Sequence, residues 1–268
     1  MHRRLASLRD KDCLAVGDGL GLDQPMQHLD QYRAALMDQL ERAFDDQRPA
    51  LEKASDAVAT ALRNGHWIYF AGTGHSHLLA LEMFYRAGGL VRAVPILDED
   101  LMLHRSASTS TALEREEGRA GRLLDRYGVG GRDVLFVISN SGRNAVPVEF
   151  AMEGRARGAA VIAVTSVAHS GAHPSRHDSG RRLMEVADVV LDNAGVEGDA
   201  VVGLGDGLRT GATSTAVGAA LLQAVMTEGA ARALAAGWVP ELYRSSNGGG
   251  ELENNRLLER YRGVIPHL

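Results

Sequence analysis

The stretch that most constrains what this chain can fold into runs from Val134 to Asn144: Val-Leu-Phe-Val-Ile, then Ser-Asn-Ser-Gly-Arg-Asn. Five consecutive apolar residues suit a parallel strand covered on both faces, and Ala145-Val-Pro-Val-Glu149 then reads as the opening of a helix. A strand that feeds a helix through small polar residues aims unpaired N–H groups and a positive dipole end at the loop, which favours a phosphate. A hydroxyl-rich turn also caps a helix with no ligand involved. The loop alone leaves both readings open.

The same plan recurs. His66-Trp-Ile-Tyr-Phe-Ala71 reads as a strand that enters Gly72-Thr73-Gly74-His75-Ser76-His77 and then a helix from Leu78 to about Ala87. Ala159 to Val164 reads as another strand, with Thr165 and Ser166 at its carboxyl end. Val91 to Leu97 and Ala187 to Asp192 complete a set of five, and Pro95 puts its strand near an edge because proline cannot donate to a ladder. Helical segments alternate with these strands, including one read as continuous from Leu113 to Tyr127. That alternation predicts an α/β fold, a three-layer, doubly wound parallel sheet. Ligands of such sheets bind outside the strand carboxyl ends, so the three hydroxyl-bearing loops are expected to converge on one crevice. Gly72-x-Gly74 lacks the third glycine of a dinucleotide fingerprint and no P-loop lysine pattern is present, which lowers a nucleotide reading.

Around this core, residues 1–25 mix charges and glycines without periodicity and read as a loosely held extension. Residues 26–65 carry two amphipathic helices, expected to pack on the core or on a partner subunit, and residues 66–268 form the ligand-binding domain. The segment 194–207 reads as a loop or short hairpin, and Ala216 to Glu228 as a helix with small-residue faces that permit close packing.

Composition excludes several classes. A net charge of −5 argues against a surface that neutralises many nucleic-acid phosphates, so no nucleic acid is expected as a partner. The sequence carries no membrane-spanning apolar run and no apolar signal segment at its start, and its single cysteine suits a reducing compartment; the expected localisation is cytoplasmic. No cofactor is expected. His169, His173 and His177 suggest a metal cluster, but Gly171 and Pro174 interrupt any shared helix face, and no metal is assigned.

Gly72 to His77 with Glu82 and Phe84 to Gly89, then Ser139 to Asn144, then Thr213-Ser214-Thr215, together resemble the motifs of the sugar isomerase (SIS) domain superfamily. Within it they are similar to a bacterial SIS-domain subgroup of uncertain function, and the first loop is similar to that of phosphoheptose isomerases. The resemblance implies a five-stranded parallel sheet of flavodoxin-like winding, binding of a phosphorylated sugar, and a homodimer or homotetramer with shared sites. It does not fix the reaction, since the superfamily holds isomerases, an etherase, synthase domains and noncatalytic sensors. Carried over, it places Ser139, Asn140, Ser141, Gly142 and Asn144 at the phosphate, with Asn144 where threonine is commoner and Arg143 where an acidic residue is commoner. The catalytic glutamate of the phosphoheptose isomerases falls at Tyr85, which leaves Glu82 as a nearby carboxylate.

Aldose–ketose isomerisation needs a base for a carbon-bound proton and a shuttle for hydroxyl protons, work suited to Glu and His. Glu82, His75 and His77 are the catalytic candidates; Thr73, Ser76, Ser139, Asn140, Ser141, Gly142, Asn144, Thr165, Ser166 and Ser214 are the substrate-binding candidates. Glu82 reads equally as a surface carboxylate paired with Arg86 at i+4, and Glu99 and His104 as loop surface. Glu253, Asn255 and Arg256 either reach a neighbouring subunit's site or form a solvated terminal helix. The expected function is a phosphosugar isomerase. A noncatalytic phosphosugar-binding regulator, and an etherase or lyase acting on an N-acetylated sugar phosphate, remain as alternatives.

Overall fold

The computed structural model describes residues 26–268, so the reading of residues 1–25 lies outside the described residues. Two helices come first, α1 (Gln27–Asp45) and α2 (Arg48–Arg63), followed by β1 (Ile68–Gly72), α3 (His77–Glu82) and β2 (Ala93–Ile96). Next are α4 (Ala107–Leu113), α5 (Ala120–Tyr127), β3 (Val134–Ile138), α6 (Ala145–Ala156) and β4 (Ala160–Thr165). The chain continues through α7 (Val167–Gly171), α8 (Leu183–Val186), β5 (Val189–Asp192), β6 (Val202–Gly205) and β7 (Leu208–Thr210). It ends with α9 (Ser214–Ala235) and α10 (Glu251–Tyr261).

Strands β2-β1-β3-β4-β5 form one parallel sheet in that order, with Pro95 in the edge strand β2. Every residue of β3 is buried, because this central strand is covered on both faces. Successive side chains alternate faces. Ile68, Phe70, Val134, Phe136 and Ile138 pack under α1, α2 and α9, whereas Tyr69, Ala71, Leu135 and Val137 pack under α5, α6 and α10. Phe70 and Phe136 are register partners and stack with ring centroids 5.0 Å apart. The strand order reverses between β1 and β3, so their carboxyl ends open the crevice of a doubly wound sheet.

Helix α2 buries Leu51, Ala54, Val58 and Leu62 in the same core as the sheet and lies against α9. Gly229 of α9 makes the approach close: a Cβ built there would stand 2.4 Å from Val58 Cγ1. The small-residue face of α9 therefore packs within the chain.

Three segments differ from the sequence reading. Of the continuous helix expected over 113–127, only Ala120–Tyr127 is helical beyond the end of α4 at Leu113: Gly118 adopts φ +85°, and the Glu149 carboxylate accepts from the amides of Gly118, Arg119 and Ala120, starting α5 afresh. The helix expected from Leu78 to about Ala87 stops at Glu82, and Tyr85 sits at φ +42°. The sequence also reads His169 to Arg182 as a polar loop, whereas its first residues belong to α7. Residues 202–210 form the expected hairpin, and among the described residues no helix is long and apolar enough to cross a membrane.

Candidate functional site

Loop one leaves β1 at Thr73, which is buried, and turns through Gly74 at φ +55° into a single 3-10 turn, Gly74–Ser76. His77 closes that turn through its Nδ1 and the Gly74 carbonyl, and its ring is 7% exposed. His77 is thereby held as a structural residue of the loop, whereas His75 and Ser76 face the crevice.

Loop two leaves β3 at Ser139, whose Oγ accepts from the Gly142 amide at 3.1 Å. Gly142 sits at φ +57°, and a Cβ there would lie 2.9 Å from Thr165 Oγ1, so the turn requires glycine both for its conformation and for space. The amides of Ser141, Arg143 and Asn144 donate to no backbone carbonyl among the described residues. The first turn of α6 adds less than the sequence promised. Val146 donates to the Glu114 carbonyl at 3.1 Å, and Pro147 has no N–H.

Thr165 and Ser166 are fully buried and brace this loop rather than line it. Thr165 Oγ1 and the Ser166 amide both donate to the Asn140 carbonyl, at 3.2 and 3.1 Å, and Ser166 Oγ donates to the Gly195 carbonyl at 2.6 Å. Asn140 itself is aimed by Asn193, whose Nδ2 donates to Asn140 Oδ1 at 2.8 Å.

A cavity of about 210 Å3 lies where these loops meet the start of α9. Its polar wall includes His75, Ser76, Asn140, Asn193, Asp199 and Ser214, over an apolar floor of Leu79, Ile138 and Val164. Asp199, at φ +51°, accepts from the amides of Thr213 and Ser214 at 3.1 and 3.0 Å and from Ser214 Oγ at 2.6 Å. Its carboxylate thus caps the 22-residue helix α9 while facing the cavity. Behind it, the buried Gln39 of α1 donates to the Asn193 carbonyl at 2.7 Å and accepts from Thr213 Oγ1 at 2.6 Å.

Glu114 joins the two loops. Its Oε2 accepts from Thr73 Oγ1 at 2.8 Å and its Oε1 from Asn144 Nδ2 at 2.7 Å, while Asn144 Oδ1 accepts from Arg176 Nη1 at 2.9 Å. Burial pushes the Glu114 carboxyl above its usual value, against the lowering effect of the Thr73 hydroxyl and of Arg115 and Arg176. Glu114, Asp199, Asn193 and Gln39 were not among the sequence-derived site residues. Glu114 sits in a charged run that reads as solvated surface, and Asp199 among glycines that read as a turn.

Glu82 lies elsewhere. It forms the i+4 ion pair with Arg86 and accepts from Gln223 Nε2 of α9 at 3.1 Å, outside the cavity wall. Glu99 pairs with Arg105 at 3.4 Å, and the His104 ring lies 6.4 Å from that of His77. His169 and His173 meet edge to face, with ring centroids 6.1 Å apart, and bond to the Gly198 amide and to Glu197, while His177 lies apart beside Glu117 and Glu149. The Ser179 amide donates to His177 Nδ1, which leaves the ring proton on Nε2, and Glu149 is occupied as a cap. That donor set suits hydrogen bonding better than a cation. Asn255, Glu253 and Arg256 are exposed on α10, whose buried residue Asn254 clasps the Arg244 backbone.

A family model of the SIS domain matches residues 31–166, spanning α1 through the end of β4. The chain belongs to the SIS domain family. It is 43% identical to a UPF0309 protein of Geobacillus thermodenitrificans over 90% of this chain and 97% of that one. A UPF0309 protein of Brucella canis is 45% identical, over 89% and 98% respectively. Among solved structures, it is similar to a phosphoheptose isomerase from Francisella tularensis, 16% identical, with TM-score 0.48 over 75% of this chain and 95% of that one. The sugar isomerase domain of an RpiR transcription factor from Sphaerobacter thermophilus is 18% identical, with TM-score 0.45 over 78% and 95%.

Proposed function

We propose that this SIS-domain chain binds a phosphorylated sugar at the carboxyl ends of β1, β3 and β4 and interconverts its aldose and ketose forms through an enediol. The observation that carries the reading is that the amides of Ser141, Arg143 and Asn144, which donate to no backbone carbonyl among the described residues, follow Asn140 in the loop that helps line a cavity with His75 and Ser76. The loop amides and the Ser141 hydroxyl hold the phosphate, and the cavity takes the sugar. Thr73, Gly142, Thr165, Ser166 and Asn193 keep the loops in shape. Ser76, Asn140 and Ser214 offer hydrogen bonds to sugar hydroxyls.

Of the two titratable side chains in the cavity wall, Asp199 is committed to the cap of α9 and His75 is not, so His75 is assigned the proton transfer between the two carbons. Glu82 and His77, tied to Arg86 and Gly74, are given supporting roles, and Asp199 orients Ser214. The reading places the protein in the cytoplasm as a homodimer or homotetramer, with the exposed Leu78, Leu81 and Tyr85 as a face that a second copy covers.

One observation favours a second reading, a phosphosugar sensor without turnover: both carboxylates near the crevice mouth, Asp199 and Glu114, have their oxygens taken by internal donors. The two readings separate on one variant. His75→Gln is expected to keep sugar-phosphate binding and lower product formation by about 100-fold or more, the usual size of a lost acid–base group. Unchanged turnover would reject His75, and tight binding with no product from the wild type would establish the sensor.

A further inference from the structure

Three arginines gather beside loop two. Arg143 follows Gly142 in the loop itself, Arg176 comes from the connection between α7 and α8, and Arg115 from the turn after α4. The Arg176 amide donates to the Arg143 carbonyl at 2.8 Å, and Arg176 Nη1 donates to Asn144 Oδ1 at 2.9 Å, so this guanidinium is fixed at the edge of the phosphate loop. Arg143 Nε is buried and has no hydrogen-bond partner. Desolvation, with Arg143 and Arg115 as like-charged neighbours, holds the Arg176 guanidinium below the usual arginine value. The carboxylate that offsets this is Glu114, and both its oxygens already accept from Thr73 and Asn144.

Like charges brought together repel, and a bound anion relieves that repulsion. A single phosphate does not use this cluster, because the amides of Ser141, Arg143 and Asn144 with the loop hydroxyls already supply its donors. Guanidiniums are also the side chains suited to a planar carboxylate or a second phosphate through paired N–H donors. Among the described residues neither Arg143 nor Arg176 is ion-paired, and Glu114 is held by Thr73 and Asn144, so both guanidiniums are left for an incoming anion.

We propose that the ligand is doubly anionic, a sugar phosphate that carries a second carboxylate or phosphate, and that Arg143 and Arg176 select it. The proposal rests on the phosphosugar reading above and narrows it to a substrate class.

The test compares ligands that differ by a second anionic group, by calorimetric titration of the full chain at fixed ionic strength. Glucose 6-phosphate is paired with 6-phosphogluconate, and fructose 6-phosphate with fructose 1,6-bisphosphate. In at least one pair the doubly charged member binds about tenfold tighter or better, the effect of one charge-assisted contact. Arg176→Gln, which keeps a donor for Asn144, reduces that preference to less than about threefold while the singly charged member still binds. Equal affinity within both pairs overturns the proposal, and so does an equal loss for both members in Arg176→Gln, which would assign the arginine to the one phosphate. Failure of every sugar phosphate to bind removes the phosphosugar reading itself, a result distinct from binding without preference. The wild-type comparison needs no variant to fold.

Discussion

At Gly142 two requirements meet in one residue. The φ of +57° strains any side chain, and the space a Cβ would take is held by Thr165 Oγ1. Gly65 has φ +74° with nothing within 4 Å, so it carries the first requirement without the second. Gly65→Ala is expected to cost about 1 kcal/mol and Gly142→Ala about 2–3 kcal/mol in urea unfolding, with sugar-phosphate binding lost only in the latter. Equal costs would mean that the loop yields around Thr165. Glu114 gives a second prediction, with a definite sign. Burial raises its carboxyl above the usual 4.5, so the folded chain holds this proton where the unfolded chain has released it. Stability contributed at this site is therefore full below about the unfolded value and falls as pH rises through the folded one. Glu114→Gln should flatten that part of the wild-type curve of melting temperature against pH, read as the difference between the two proteins. A wild-type decline that persists unchanged in the variant would contradict the assignment. Such residues are hard to read from sequence: Glu114 meets Thr73 and Asn144 across 41 and 30 positions, and only folding shows that this one of several neighbouring glutamates turns inward.

Elements were more legible, because hydrophobic periodicity and turn chemistry are local. The fully apolar run of β3 and the proline in β2 translate directly into a buried strand and a sheet edge. What periodicity does not carry is a tertiary contact that ends a helix. The division between α4 and α5 depends on a carboxylate from α6, and the short α3 on a turn at Tyr85. Contact between α2 and α9 rests on Gly229 against Val58, which supplies a prediction at this scale. In an isolated helix Gly→Ala stabilises by about 1 kcal/mol. Gly229→Ala is expected instead to destabilise by about 1–3 kcal/mol, since the new methyl overlaps Val58 and the two helices must part. A gain in stability on chemical denaturation would show that the packing has slack and that the close approach is not what orders these helices.

Across the whole molecule, the crevice is where the strand order reverses, and two loops with separate tasks meet there. Loop one brings His75 and Ser76 to the cavity, and loop two brings Asn140 to it and leaves the amides of Ser141, Arg143 and Asn144 without a backbone acceptor among the described residues; the Thr73–Glu114–Asn144 chain joins one loop to the other. Winding and family were legible in the motifs because each motif sits at a strand end, where its position follows from the fold. Which hydroxyls face the ligand was not, since Ser76 and Thr165 look alike in sequence while one lines the cavity and the other is buried. The central claim is that this crevice takes a sugar through its phosphate. Thermal stabilisation by aldose and ketose phosphates, each beside its unphosphorylated sugar, tests it most directly, because a ligand that binds only the folded chain raises its melting temperature. The account predicts a saturable rise with at least one sugar phosphate, none with the matching free sugar, and loss of the rise in the Ser139→Ala, Ser141→Ala double variant. Equal shifts with and without phosphate, or a rise that survives in the double variant, would contradict it.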